Sequence, residues 1–179
     1  MGRVMGDDPF ESIVAAHHGE IHRYLARVTT RASDADDLSQ ETFLRAFRAH
    51  RGLPAEANVR AWLFAIATNL YRNHVRGEVR RRKAMAAAST DGYAVAPGWP
   101  EGVAQLHETS ARIDRIISDL PLKQRVAFTM RKMHELEYEA IGEALTCSAE
   151  SARAHVFQAL KKIRRGLDDL NGMPTESAR

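Results

Sequence analysis

Arginine can offer paired donors to the edge of a base, glutamine a donor beside an acceptor, and lysine a point charge to a phosphate. Arg153, Gln158 and Lys161 bring those groups together within residues 149–164. A second set mixes cations with rings and amides. Trp62, Asn69, Tyr71 and Asn73 interleave with Arg72, Arg76, Arg80, Arg81, Arg82 and Lys83. Rings and amides suit unstacked bases and the cations suit the backbone, a combination fitted to gripping single-stranded DNA. Trp62 alone reads more readily as core than as a stacking platform. The plainer reading of either set is a solvated charged face, so the elements that carry them decide.

The first set lies on a helix. Ala152, Val156, Ala159 and Ile163 recur at intervals of three and four, which makes one stripe apolar and leaves the donors largely off it. Before it, Tyr138-Glu-Ala-Ile-Gly-Glu-Ala-Leu145 reads as a short helix with Ile141, Ala144 and Leu145 on one face. Thr146-Cys147-Ser148 breaks the pattern, and the Ser148 hydroxyl can accept from a free N–H of the second helix. Two helices joined by a three-residue turn, the second rich in donors, form a helix-turn-helix candidate.

The second set extends a helix that Asn58 can cap, with Trp62, Leu63, Ile66, Ala67 and Leu70 as its packing stripe. A helix C-terminus attracts cations only within its last turn, which accounts for two of the arginines at most. Ser33-Asp-Ala-Asp36 matches a capping box at the head of another helix. Leu38, Thr42, Phe43, Ala46 and Phe47 are expected to pack inward there. Asp37, Gln40, Glu41 and Arg45 are left outside as an acidic and polar docking surface for a protein.

Pro9 suits the first turn of an N-terminal helix carrying Phe10, Ile13, Val14, Ile21, Tyr24, Leu25 and Val28. Residues 84–102 are first Ala-rich, then rich in Gly, Pro and Ser, and read as a flexible linker. Beyond it, Leu106, Ile113, Ile116, Ile117 and Leu120 share a helical face. Pro121 opens a helix in which Val126, Ala127, Met130 and Met133 point inward, and the tail from Asn171 is expected to fray. No strand pattern is convincing. The expectation is an all-α chain of two small helical domains, at 10–83 and 103–170.

Net charge is only +3 over 179 residues, but it is unevenly placed. Residues 58–83 carry a net +6 and residues 148–165 a net +4, leaving −7 for the remainder. Two separate basic segments suit two contacts with nucleic acid, since each neutralised phosphate releases counterions. The lone Cys147 rules out an internal disulfide and suits a reducing cytosol, and a small buried residue is expected there. No apolar run approaches a membrane span and no signal peptide is evident, so a cytoplasmic chain without direct membrane contact is expected.

Catalysis is not supported: there is no Gly-rich phosphate loop, no Gly-x-Ser-x-Gly and no cysteine pair. His18 and His22 stand one turn apart, but no further ligand completes a metal site at suitable spacing, so they read as surface or packing histidines. No metal and no cofactor are expected.

Two separated segments resemble the extracytoplasmic-function (ECF) sigma factors of the sigma-70 family. One is Asp34-Ala-Asp-Asp-Leu-Ser-Gln-Glu-Thr-Phe-Leu-Arg-Ala-Phe47 with Arg60-Ala-Trp-Leu-Phe-Ala-Ile-Ala-Thr-Asn69, similar to the family's second region. The other is Leu120-Pro121 with the helix-turn-helix, similar to its fourth region. The resemblance implies an initiation subunit whose partners are core RNA polymerase and promoter DNA. It implies that Asp37, Gln40, Glu41 and Arg45 dock on the polymerase clamp helices. Trp62, Asn69 and Asn73, with the loop 51–57, would open and read the minus-ten element, while Arg76 and Arg80 to Lys83 hold its backbone. Arg153, Ala154, Phe157, Gln158 and Lys161 would meet the minus-thirty-five element. An anti-sigma partner is implied as well. The chain departs from the family in having Glu135 for a frequent turn glycine, and Glu137 and Ala140 for a capping box. The contrasting reading is a stand-alone helix-turn-helix regulator that does not act through polymerase.

Overall fold

The structure is a computed structural model that describes residues 9–88 and 113–171. Helix α1, Pro9–Val28, begins at the proline, with Glu11 in its first turn and Arg27 in its last, each at the helix end its charge favours. Ile21, Tyr24, Leu25 and Val28 are fully buried. Thr29 closes the helix, its N–H and hydroxyl both donating to the Leu25 carbonyl at 2.9 and 2.8 Å.

Helix α2, Ala32–Ala49, starts ahead of the expected cap. Extended Arg31 is the N-cap, with no side-chain bond, and its carbonyl accepts from Asp34 and Ala35 at 3.2 and 3.3 Å. Ser33 is therefore an exposed helical residue rather than a cap. Ala35, Leu38, Thr42, Phe43 and Ala46 turn inward as expected, but Phe47 does not and is 48% exposed. After a 3-10 turn at His50–Gly52, Asn58 caps α3, accepting from the Ala61 N–H at 3.0 Å.

Helix α3, Val59–Ala88, has 30 residues and so is about 45 Å long. Its first half is buried through Leu63, Phe64, Ala67, Leu70 and Tyr71, and its second half is largely exposed. Residues 84–88, expected to begin the linker, continue this helix. The remainder of that linker, Leu106 and the tail after Asn171 lie outside the described residues.

A helical segment at 113–118, numbered α4, precedes α5 (Leu122–Met133), α6 (Tyr138–Leu145) and α7 (Ala149–Asn171). Pro121 is the N-cap of α5 rather than its first residue. Val126, Ala127 and Met130 are buried, whereas Met133, expected inward, is 39% exposed. Ile117, Leu120, Phe128, Ala159 and Ile163 form one small cluster among α4, α5 and α7. The main core is continuous across both halves, running from Tyr24 and Phe64 to Met130, Ile141, Leu145 and Val156. The fold is all-α, two helical groups of which the second is a helix-turn-helix, with no strand among the described residues.

Candidate polymerase and DNA interfaces

The helix-turn-helix owes its tight turn to three local features. Thr146 takes a left-handed backbone (φ 57°), the Cys147 N–H donates to the Gly142 carbonyl at 2.9 Å, and Gly142 itself is buried against the turn. Ser148 then caps α7, its hydroxyl oxygen accepting from the Ser151 N–H at 3.1 Å, as its position predicts. Cys147, expected to be buried, is half-buried. Helix α6 has no side-chain cap at Glu137, in keeping with the absent capping box.

On α7, Ala152, Val156, Ala159 and Ile163 are buried, so Arg153, Ala154, Phe157, Gln158 and Lys161 share the outward side. Phe157 is 64% exposed, a large apolar ring on the same outward side as Arg153, Gln158 and Lys161. The Arg153 guanidinium lies 5.0 Å from the centre of the Tyr138 ring, and Arg131 lies 4.8 Å from it. Tyr138 thus joins the donor face of α7 to α5. Arg131 and Arg153 stand seven and fifteen residues from Tyr138 in sequence, so only the packing of α5, α6 and α7 brings them to its ring.

Asn69, Asn73, Arg76 and Arg80 lie at successive turns of one exposed side of α3. Trp62 is half-buried against the main core, in line with a packing role. Near the far end of α3, Glu78 binds Arg81 and lies 4.0 Å from Arg82, so the basic run keeps one internal counter-charge. The helix keeps these amides and arginines on one side, but Tyr71, expected among them, is 2% exposed and packs into the main core.

On α2, Asp37, Gln40 and Arg45 are exposed and Glu41 is half-exposed. Arg45 donates to the Glu41 carboxylate at 2.7 Å, one turn away. Beside this face lies a groove between α1 and α2, lined by Phe10, Val14, His18, Phe43, Leu44 and Phe47. Leu44 is 44% exposed. The sequence reading missed the groove because it sent Phe47 inward and gave Leu44 no place. Four consecutive positions, Phe43 to Ala46, that hold three apolar residues were the signal.

His18 stacks on His22 at 6.3 Å and tilts over Phe43 at 5.5 Å, and His22 bonds Asp36 at 2.7 Å. Among the described residues no group of three His, Cys, Asp or Glu is placed to hold a metal ion, and no helix is long and apolar enough to cross a membrane.

Residues 13–81 match the family model for sigma-70 region 2, and residues 110–163 that for sigma-70, region 4, together well over half of the chain. The chain is 27% identical over 168 residues to the RNA polymerase sigma-H factor of Pseudomonas aeruginosa, covering 90% of this chain and 87% of that one. It is also 27% identical over 168 residues to the ECF RNA polymerase sigma-E factor of Haemophilus influenzae, covering 90% and 88%. Its fold is similar to the sigma factor RpoE in complex with the anti-sigma factor NepR from Bartonella quintana. The TM-score is 0.72 at 19% identity, covering 89% of this chain and 96% of that one. It is also similar to CnrH in complex with the cytosolic domain of CnrY, with a TM-score of 0.66 at 19% identity over 89% and 88% of the two chains.

Proposed function

The chain belongs to the sigma-70 family, and on that premise we propose how its residues divide the labour of starting a transcript. It is an RNA polymerase sigma factor of the ECF type, directing core polymerase to promoters. Asp37, Gln40, Glu41 and Arg45 on α2 dock on the polymerase. Trp62, Asn69, Asn73, Arg76 and Arg80 on α3 hold the minus-ten element. Arg153, Ala154, Phe157, Gln158 and Lys161 on α7 meet the minus-thirty-five element.

The observation that carries this division is the simultaneous exposure of all three faces on one chain. A stand-alone regulator needs the α7 face. It needs neither the acidic helix nor the amide-and-arginine face of α3, because it neither rides on an enzyme nor opens strands. Exposing bases costs a few kcal/mol of unstacking, and a surface that holds a flipped base lowers that cost and reads the base together.

The protein acts in the cytoplasm and contributes no catalysis of its own; nucleotide addition belongs to the polymerase. An anti-sigma protein is a further partner, a reading supported by the complexes whose sigma chains share this fold. Footprinting on promoter DNA tests the proposal. Protection of both elements is expected only when core polymerase is present with the chain. Equal protection of a single site by the chain alone would favour the regulator.

A further inference from the structure

Tyr138 is the first residue of α6, and its half-buried ring packs against the main core. Arg131 reaches that ring from α5 and Arg153 from α7, with guanidinium carbons 4.8 and 5.0 Å from its centre. Arg131 is held by hydrogen bonds as well. Its Nη1 donates to the Leu136 carbonyl at 2.9 Å and to the Glu137 carboxylate at 3.2 Å. Leu136 is itself buried, so these bonds moor residues 136–138 to α5. Glu137 is the N-cap residue of α6 but makes no side-chain cap there. Its carboxylate instead offsets one of the two positive charges that share the ring.

Arg153 differs from Arg131. Among the described residues it has no hydrogen-bond or ion-pair partner. The ring attracts the cation through its electron-rich face, which leaves the N–H groups of the guanidinium for another acceptor. An arginine on an exposed helix face otherwise samples many rotamers, and fixing one of them on binding costs affinity. Held against a ring, Arg153 gives up part of that freedom before DNA arrives. Two N–H donors in a rigid fork fit a base edge that presents two acceptors, which in the major groove is guanine.

We propose that Tyr138 is a positioning residue that holds Arg153 where it meets a guanine edge in the upstream element, an inference that rests on the role proposed for α7 above. Glu137 and Arg131 fix the ring, the ring fixes Arg153, and Arg153 alone touches the base. The residue that departs from the capping box thus serves the ring rather than the helix start. An exposed cation–ring contact is worth about a two- to fivefold change in an equilibrium constant, which sets the size of effect to look for.

The test measures binding of the holoenzyme to promoter duplexes changed one pair at a time in the upstream element. It compares the parent chain with Tyr138→Leu, Tyr138→Phe, Arg153→Ala, and Tyr138→Leu combined with Arg153→Ala. The pair at which Arg153→Ala flattens preference identifies the contact. There Tyr138→Leu should reduce the preference for guanine about two- to fivefold, while Tyr138→Phe, which keeps the ring, should match the parent. In the Arg153→Ala background Tyr138→Leu should change nothing further. A fall of equal size with Arg153 present or absent would assign Tyr138 to packing and overturn the positioning role. A sharper preference in Tyr138→Leu overturns it too, since the ring would then be withholding Arg153.

A second measurement decides the matter even where Tyr138→Leu disturbs the helix-turn-helix. NMR relaxation of the Arg153 Nε–H in the free chain should show an ordered side chain in the parent and in Tyr138→Phe, with that order lost in Tyr138→Leu. A mobile Arg153 in the parent overturns the proposal. This readout needs neither polymerase nor promoter. An ordered, ring-dependent Arg153 in a chain that starts no transcripts supports the ring's hold on Arg153 and counts against the initiation role. Specific transcripts, with promoter preference unchanged in Tyr138→Leu, count against the positioning role alone.

Discussion

Gly142 faces the main chain of the following turn so closely that a methyl group there would stand 2.7 Å from the carbonyl oxygen of Cys147. The approach is what lets α6 pass into α7 in three residues, with the Cys147 N–H bonded to the Gly142 carbonyl. Backbone on both sides leaves nothing flexible to move aside. Gly142→Ala should cost about 1–3 kcal/mol, the usual range for overpacking. The urea midpoint should fall, and binding to the upstream element should weaken with it. An unchanged midpoint would mean that the turn is looser than this contact indicates.

Glu135 sits at φ 53°, where a side chain costs roughly 1–2 kcal/mol, set against about 0.5–1 kcal/mol for the greater freedom that glycine loses on folding. Glu135→Gly should therefore stabilise the chain by up to about 1 kcal/mol. Thr146 is left-handed too, but its hydroxyl accepts from Arg72, so Thr146→Gly should gain less or nothing. Equilibrium unfolding in urea separates the two. A lowered midpoint for Glu135→Gly would show that its carboxylate, near Arg60, matters more than its backbone.

The two faces proposed to meet DNA should fail in different ways. Arg153→Ala should weaken recognition of the upstream element by about 1–3 kcal/mol, the range for losing a paired base contact. Asn69→Ala should slow strand opening and leave polymerase affinity unchanged. Filter binding of promoter variants by the holoenzyme measures the first, and a fluorescent base analogue in the minus-ten element measures the second. Loss of polymerase affinity alone in both variants would contradict the division of labour.

Burial pushes the His134 imidazole below its ordinary range, with Glu20 of α1 opposing the shift and Arg60 of α3 and Arg23 of α1 adding to it. The unfolded chain then binds the extra proton first. Stability from this group is complete above about pH 6.5 and is lost as pH falls from there toward the lower folded value. His155 shifts the same way through burial and Lys123, so it contributes a second, separate share. Urea midpoints measured from about pH 8 to about pH 5 should decline, and His134→Asn should flatten part of that decline. An identical slope in the variant would show that His134 does not titrate with unfolding.

Local features of this fold were legible in the sequence because their causes are local. The bounds of α6, the Ser148 cap and the Asn58 cap each follow from residues within a turn of one another. The start of α2 was misread because Ser33 fits a capping pattern, whereas the extended backbone at Arg31 admits the helix sooner. Phe47 was misread for a different reason. Leu44, Phe47 and the buried Phe43 lie on adjoining faces, and apolar spacing alone cannot say which edge of a wide stripe meets water. The exposure of most residues on the three proposed faces was legible as residue types on helices, since side-chain direction follows from helical spacing. The meeting of Glu20, Arg60 and His134 was not: Glu20 stands 40 residues from Arg60, and Arg60 stands 74 from His134, so each looks like an ordinary surface group until the helices pack.

Run-off transcription with purified core polymerase, over a library of promoter sequences, tests the initiation role most directly. Transcripts that start at a restricted set of sequences, and that depend on adding this chain, are the expected result. No specific transcript from any member of the library, with the chain folded and free of the polymerase, would contradict it.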